Sequence, residues 1–156
     1  MSVYADANLL IKLCLDLDDG EAERLLAAPE VISMWPLPVT DLLRLEVRNG
    51  IQRMVFESRN GGVLRVTPEV AAAGQALFEE LLQEGRLFRR VPLTLQDLEA
   101  RFDQLVLRHT ARHGFRTYDV AHVASALELD CALFYSFERK ANELARLEGL
   151  QTNLIP

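Results

Sequence analysis

Four acidic residues stand in or directly beside apolar segments of the sequence. Asp6 and Glu138 each follow a short apolar run, and Glu46 and Asp119 lie in stretches with helical spacing. A carboxylate is costly to bury unless another group pairs with it. Oxygen ligands from four distant parts of the chain therefore predict one shared hard cation, such as Mg²⁺ or Mn²⁺.

The elements that position these acids alternate along the chain. Strands are predicted at 2–6, 31–34, 88–91, 132–135 and 151–155, with an extended connection at Pro36 and Pro38. Helices are predicted at 7–15, at 21–28, from Thr40, from Thr67 to Gly85, from Thr94 to Gly114, at 118–129 and at 138–148. The helix from Thr67 is expected to bury Val70, Ala73, Leu77 and Leu81. The alternation predicts a parallel sheet covered on both faces, with ligands at the carboxyl ends of the strands.

Each acid has a polar neighbour at a spacing that places both on one face or one turn. The pairs are Asp6 with Asn8, Glu46 with Asn49, Asp119 with His122, and Glu138 with Ser136. Residues three apart on a helix share a face, and the other two pairs flank strand-to-helix turns. Distant segments can therefore converge on one pocket at the top of the sheet.

The bulk composition is that of a globular protein. The 156 residues are 49% hydrophobic and 26% charged, which predicts one domain over 1–156. The net charge of −6 argues against a broad electrostatic grip on nucleic acid. No apolar run approaches the roughly 20 residues that span a bilayer, so we expect a cytoplasmic protein without a membrane partner. Cys14 and Cys131 lie in apolar segments and are expected to be buried free thiols.

Each acid also has a simpler interpretation on its own. Asp6 can cap the helix that follows it. Glu46 can be a solvated helix residue paired with Arg53. Asp119 and Glu138 can be first-turn acids that the helix dipole favours.

The histidines and basic residues are open to two interpretations as well. His122 can be a general base or a partly buried structural histidine, and we favour the second. His109 and His113 have the spacing of a zinc pair, but no third ligand stands nearby. Arg116 can pair with Asp119 or contact a substrate phosphate. Other basic pairs can line an RNA path or be solvated surface charge: Arg89-Arg90 and Arg139-Lys140.

Four segments of the chain together resemble the motifs of PIN domains, and most closely those of VapC-type toxins. They are Tyr4-Ala5-Asp6-Ala7-Asn8-Leu9-Leu10, Leu45-Glu46-Val47-Arg48-Asn49, Arg116-Thr117-Tyr118-Asp119-Val120-Ala121-His122-Val123-Ala124-Ser125-Ala126, and Ser136-Phe137-Glu138. The resemblance runs over nearly the whole chain, in the family's order. It implies a three-layer α/β/α sandwich with a central, mainly parallel sheet of about five strands.

The resemblance also implies a Mg²⁺- or Mn²⁺-dependent endoribonuclease. Asp6, Glu46 and Asp119 match the family's three central acids, and Glu138 stands where the family usually has Asp. Ser136 and Asn8 match polar residues that support the cluster. The implied partners are an RNA substrate, a small antitoxin protein and a second copy of the chain.

Two other functions remain open from the sequence. A PIN-like module that has lost activity would serve as an RNA- or protein-binding partner, and Glu138 in place of Asp favours this. A phosphatase of another α/β fold would use Asp6 as its nucleophile. Such enzymes commonly carry a second Asp two residues on, where this chain has Asn8.

Overall fold

Five short strands lie between two groups of helices in the computed structural model, which describes residues 1–153. The strands are β1 (Ser2–Ala5), β2 (Leu37–Thr40), β3 (Phe88–Val91), β4 (Cys131–Tyr135) and β5 (Gln151–Thr152). β4 pairs with β1 and β5, β2 pairs with β3, and all these pairings are parallel. The layer consists of two parallel sheets, β1-β4-β5 and β2-β3, and because β1 packs beside β2 the strand order across it is β3-β2-β1-β4-β5. The predicted parallel sheet is therefore present, although residues 154 and 155 of its last predicted strand lie outside the described residues.

The helices form two groups. One contains α1 (Ala7–Leu15), α2 (Glu21–Leu26), α3 (Pro29–Ile32), α4 (Asp41–Arg59) and α5 (Pro68–Glu84). The other contains α6 (Leu95–Leu105), α7 (Ala111–His113), α8 (Thr117–Glu128) and α9 (Arg139–Leu147), with a π-helical turn, Val106–Thr110, between α6 and α7. Within each group the long helices pack on one another and on the sheet. This is the predicted three-layer α/β/α architecture.

Side-chain caps fix where the long helices begin. The hydroxyls of Thr40, Thr67 and Thr94 each accept a hydrogen bond from the backbone amide three residues on. Oδ2 of Asp97 in turn accepts a hydrogen bond from the Thr94 amide, which completes a capping box. Gly85 ends α5 in the left-handed conformation, which suits a residue without a side chain. These starts and this stop are where the sequence predicts them.

The predicted strand at 31–34 is wrong. Pro29 begins α3 instead, since its ring suits the first helical turn. The strand in this part of the chain is β2, which lies where the sequence predicts an extended connection at Pro36 and Pro38. The amide of Leu37 donates to the carbonyl of Leu87 ahead of β3, so strand alternation turns the Pro38 nitrogen away from β3. Pro38 is thus tolerated because its missing N–H faces the side of β2 without ladder bonds.

The buried stripe of α5 is displaced by one residue from the prediction. Val70 and Leu77 are 42% and 38% exposed, whereas Ala71, Gly74 and Phe78 are buried. The spacing of the stripe is helical in both cases, and the large ring of Phe78 determines which face turns inward. Close packing of α5 against α1 then requires small residues at the preceding turns.

The core lies on both faces of the sheet. Its largest fully buried side chains include Tyr4, Phe78, Phe88 and Phe134, which come from β1, α5, β3 and β4. Within residues 1–153, no helix combines the length and apolarity that crossing a bilayer requires.

Candidate active site

The four predicted acids line one open cleft of ≈ 700 Å³. Asp6 follows β1 and caps α1, and Glu138 occupies the same position between β4 and α9. Glu46 projects from α4, and Asp119 lies in the first turn of α8. Because β1 and β4 are adjacent and parallel, their carboxyl ends meet at this edge of the sheet.

Asp6 is a buried carboxylate at the base of the cleft, and both of its side-chain oxygens accept hydrogen bonds. Asp6 is only 4% exposed. Oδ1 accepts from the amide of Leu9 at 3.2 Å, and Oδ2 accepts from the hydroxyl of Ser136. Burial raises the pKa of Asp6 from 3.8 to about 6, and these hydrogen bonds together with nearby His122 oppose the rise only in part. Its negative charge is therefore incompletely compensated by the protein itself.

Ser136 connects Asp6 to Glu138. Its hydroxyl accepts from the amide of Glu138 at 2.8 Å while it donates to Asp6. Asn142 donates to the Ser136 carbonyl at 2.7 Å and so braces the turn after β4. Asn8 donates to Oε1 of Glu138 at 2.7 Å. The predicted supporting residues Asn8 and Ser136 thus contact the predicted acids directly.

Glu46 contacts a histidine rather than the arginine considered from the sequence. Arg53 forms its ion pair with Glu57, at 3.5 Å. Oε2 of Glu46 instead meets Nε2 of His122, a residue that is 5% exposed. His122 is therefore buried and hydrogen-bonded, as a structural histidine is expected to be, but its partner is one of the candidate site acids.

Tyr4 is the site-linked residue that the sequence analysis missed. Its hydroxyl lies 2.7 Å from Nδ1 of His122, on the side of the ring opposite Glu46. The side chain is fully buried in β1. The available signal was a phenol hydroxyl in an otherwise apolar strand, immediately before Asp6.

Asp119 caps the helix that carries it. Its Oδ2 accepts from the backbone amide of Arg116 at 3.1 Å. The contact expected between Arg116 and Asp119 is therefore made by the main chain. Within residues 1–153 the Arg116 guanidinium forms no ion pair, and Arg116 and Tyr118 line the cleft beside Asp119.

The acids match a hard divalent cation in donor type but not yet in arrangement. Their oxygens are the ligands that Mg²⁺ and Mn²⁺ prefer, and the buried charge of Asp6 favours a cation. However, no three Asp, Glu, His or Cys side chains among the described residues are grouped closely enough to hold a metal ion. Glu46, Asp119 and Glu138 are each turned toward a protein donor. To join Asp6 around one ion, Asp119 and Glu138 must rotate away from these donors, and Glu46 must approach the ion with the oxygen that His122 does not hold.

The remaining candidates lie in ordinary structural contacts. His109 pairs with Glu148 at 3.0 Å and His113 with Glu143 at 3.3 Å, so each histidine has its own carboxylate. Arg90 pairs with exposed Asp41. Cys14 and Cys131 are buried free thiols, as the sequence predicts.

The comparisons with known proteins show the fold. No family model matches the sequence, and no curated protein matches it. Among solved structures, the chain is similar to Mycobacterium tuberculosis VapC20, described as a sarcin-ricin loop cleaving toxin. The TM-score is 0.60 at 18% sequence identity, and the match covers 99% of this chain and 100% of that chain. The chain therefore has the PIN-like α/β/α fold of a VapC-type toxin.

Proposed function

We propose that this chain is a divalent-metal-dependent endoribonuclease. The observation that carries the proposal is the convergence of Asp6, Glu46, Asp119 and Glu138 on one cleft at the carboxyl ends of β1 and β4. The fold likeness to a toxin described as cleaving the sarcin-ricin loop supports RNA as the substrate. Residues 1–156 would act as one domain.

The proposal assigns a role to each acid. Asp6 is the central ligand, because it is buried, fixed by Leu9 and Ser136, and incompletely neutralised. Glu46 and Asp119 complete one side of the site, and Glu138 completes the other, directly or through water. A bound Mg²⁺ or Mn²⁺ supplies charge stabilisation at the phosphoryl oxygens and activation of the attacking water. The carboxylate that remains free orients that water or accepts its proton.

Substrate contact is assigned to the rim of the cleft beside Asp119. The guanidinium of Arg116, which forms no ion pair within residues 1–153, suits a phosphate oxygen because Arg binds phosphate in a bidentate geometry. The exposed ring of Tyr118 offers a surface on which a base can stack. A net charge of −6 is consistent with RNA held by a few local contacts rather than by a broad basic surface.

We also propose that the chain is the toxin of a toxin–antitoxin pair, acts in the cytoplasm and forms a homodimer. Apolar side chains of α1 and α4 line the same cleft as the acids, which supports a groove for a small antitoxin. They are Ile11, Leu42, Leu45 and Met54. Co-expression with the adjacent small open reading frame is expected to give a complex that elutes early from a sizing column. Elution of the chain alone would contradict the partner assignment.

The test of the nuclease uses purified chain freed of any bound protein. Labelled structured RNAs, including a sarcin–ricin stem-loop, are incubated in EDTA and then with Mg²⁺ or Mn²⁺. The double variant Asp6→Asn/Asp119→Asn serves as the comparison. We expect cleavage that needs the metal and is lost in the double variant. Cleavage that persists in EDTA, or in the double variant, would contradict the proposal.

A second candidate function is a metal-free binding module with this fold. It is favoured by Glu138, which stands at the family's Asp position and is bonded to Asn8. The arrangement of the other acids, each turned toward a protein donor, favours it as well. A chain that binds RNA equally well in EDTA and Mn²⁺, and cleaves in neither, would make this the better description.

A further inference from the structure

Three side chains from three separate elements form a continuous hydrogen-bonded chain that ends at the cleft. The Tyr4 hydroxyl in β1 contacts Nδ1 of His122 in α8 at 2.7 Å, and Nε2 of His122 contacts Oε2 of Glu46 in α4. Tyr4 is fully buried and His122 is 5% exposed, whereas the Glu46 side chain is 32% exposed. The chain therefore runs from the core to the site.

Hydrogen-bonding chemistry fixes the direction of this chain. An ionised Glu46 can only accept, so Nε2 of His122 carries a proton and donates it. In a neutral imidazole Nδ1 is then the acceptor, and the Tyr4 hydroxyl must donate to it. Glu46 thus selects one tautomer of His122, and Tyr4 supplies the donor for the other ring nitrogen.

Packing alone does not require these polar groups. The Tyr4 ring stacks on Phe134 with centroids 5.7 Å apart and lies tilted against His122, contacts that a phenylalanine would also make. A phenol and an imidazole buried in a core must have partners, or they destabilise it. Here the two hydrogen bonds of His122 connect the phenol of Tyr4 to a carboxylate on the cleft wall, that of Glu46.

We propose that His122 is a positioning residue for Glu46, and that Tyr4 anchors the His122 ring through its hydrogen bond to Nδ1. The imidazole holds Oε2 of Glu46 and leaves Oε1 for a cation. This hydrogen bond restricts the rotamers of the Glu46 side chain before a cation binds. The proposal rests on the metal-dependent function proposed above, and it adds two residues that touch neither metal nor RNA. Such supporting contacts commonly change metal affinity by 10–100-fold when they are removed.

The experiment compares wild type with Tyr4→Phe and His122→Gln. Three quantities are measured on the full chain: the His122 tautomer by long-range ¹H–¹⁵N NMR without metal, the Mn²⁺ dissociation constant by EPR titration, and the melting temperature. Thr67→Ala is the control, because it removes the cap of α5 far from the site and lowers stability alone. Adding Glu46→Gln to each variant tests whether the effects act through Glu46.

We expect His122 to hold the tautomer with the proton on Nε2 in the wild type and in Tyr4→Phe, because the Glu46 carboxylate selects it in both. Mn²⁺ binding should weaken about tenfold or more in Tyr4→Phe and His122→Gln, and the Thr67→Ala control should bind as wild type does. With Glu46→Gln present, neither variant should weaken binding further.

Three outcomes would overturn the inference, and they are distinguishable. Wild-type Mn²⁺ affinity in both Tyr4→Phe and His122→Gln, with wild-type metal-dependent cleavage intact, would refute the positioning role and leave the nuclease standing. A loss of Mn²⁺ affinity that parallels the fall in melting temperature, with Thr67→Ala losing affinity in the same proportion, would refute the positioning role too. A wild type that neither binds Mn²⁺ nor cleaves RNA would refute the nuclease and the positioning role together.

Discussion

Replacing Asp6 by Asn is expected to stabilise the metal-free protein at neutral pH. The carboxyl is buried, and its pKa rises from 3.8 in the unfolded chain to about 6 in the folded one. A folded-state pKa above the unfolded value means that the folded protein binds the proton more tightly. The protonated Asp6 carboxyl therefore contributes its full stabilisation of the folded state below about pH 4, and this stabilisation is lost as the pH rises through 6.

The magnitude follows from the same two values. At pH 7.5 the ionised carboxylate costs the folded state about 3 kcal/mol relative to a neutral group at that position. Asn keeps the cap on Leu9, but it loses the bond that Ser136 donates to the charged oxygen, worth about 1.5 kcal/mol. We expect a net gain of about 1–2 kcal/mol, or roughly 2–8 °C in melting temperature.

The assay is urea unfolding of both proteins in EDTA from pH 4.5 to 7.5. The advantage of Asp6→Asn should grow as the pH rises through 6 and should be absent near pH 4.5. Asp103→Asn, on the exposed face of α6, is the matched control and should show no such growth. Wild type that is more stable than Asp6→Asn at pH 7.5, or a difference that does not vary with pH, would refute the reasoning.

Three further variants or probes test the packing and capping of the fold outside the cleft. Gly74→Ala is expected to destabilise the fold by about 1–3 kcal/mol in urea titrations, because a Cβ there would lie 2.5 Å from the Leu15 side chain and 3.2 Å from the Cys14 carbonyl oxygen. A neutral or stabilising effect would contradict this packing. Thr67→Ala should cost about 1 kcal/mol by calorimetry, and an unchanged melting temperature would contradict the cap. Burial raises the pKa of the Cys14 thiol to about 12 and that of Cys131 to about 11; both should react with a thiol reagent only at the rate of unfolding, and fast labelling of the native protein would contradict their burial.

The sequence predicts the location of the acids well because topology determines it. Asp6 and Glu138 follow strands of one parallel sheet, and the carboxyl ends of such strands lie at the same edge, so their convergence needs no knowledge of side-chain contacts. The helix starts at Thr40 and Thr94 are likewise local features, each determined by one hydroxyl and the amides of the next turn.

What the sequence does not predict depends on tertiary contacts. The segment 31–34 and β2 are both short apolar runs beside prolines, and only pairing with β3 decides which becomes a strand. The face of α5 is decided by Phe78 meeting Phe88, with ring centroids 6.1 Å apart. The chain from Tyr4 to Glu46 joins residues far apart in sequence, so no local spacing reveals it.

Anomalous diffraction from crystals soaked in Mn²⁺ tests the central claim most directly, because it locates the cation. The account predicts a peak in the cleft within ligand distance of Asp6, with Asp119 and Glu138 turned toward it from their present partners and Glu46 binding it through Oε1 while His122 holds Oε2. The same soak of Asp6→Asn crystals should show no peak there. A wild-type cleft without a peak at saturating Mn²⁺, or a peak bound only by residues outside the cleft, would contradict the account.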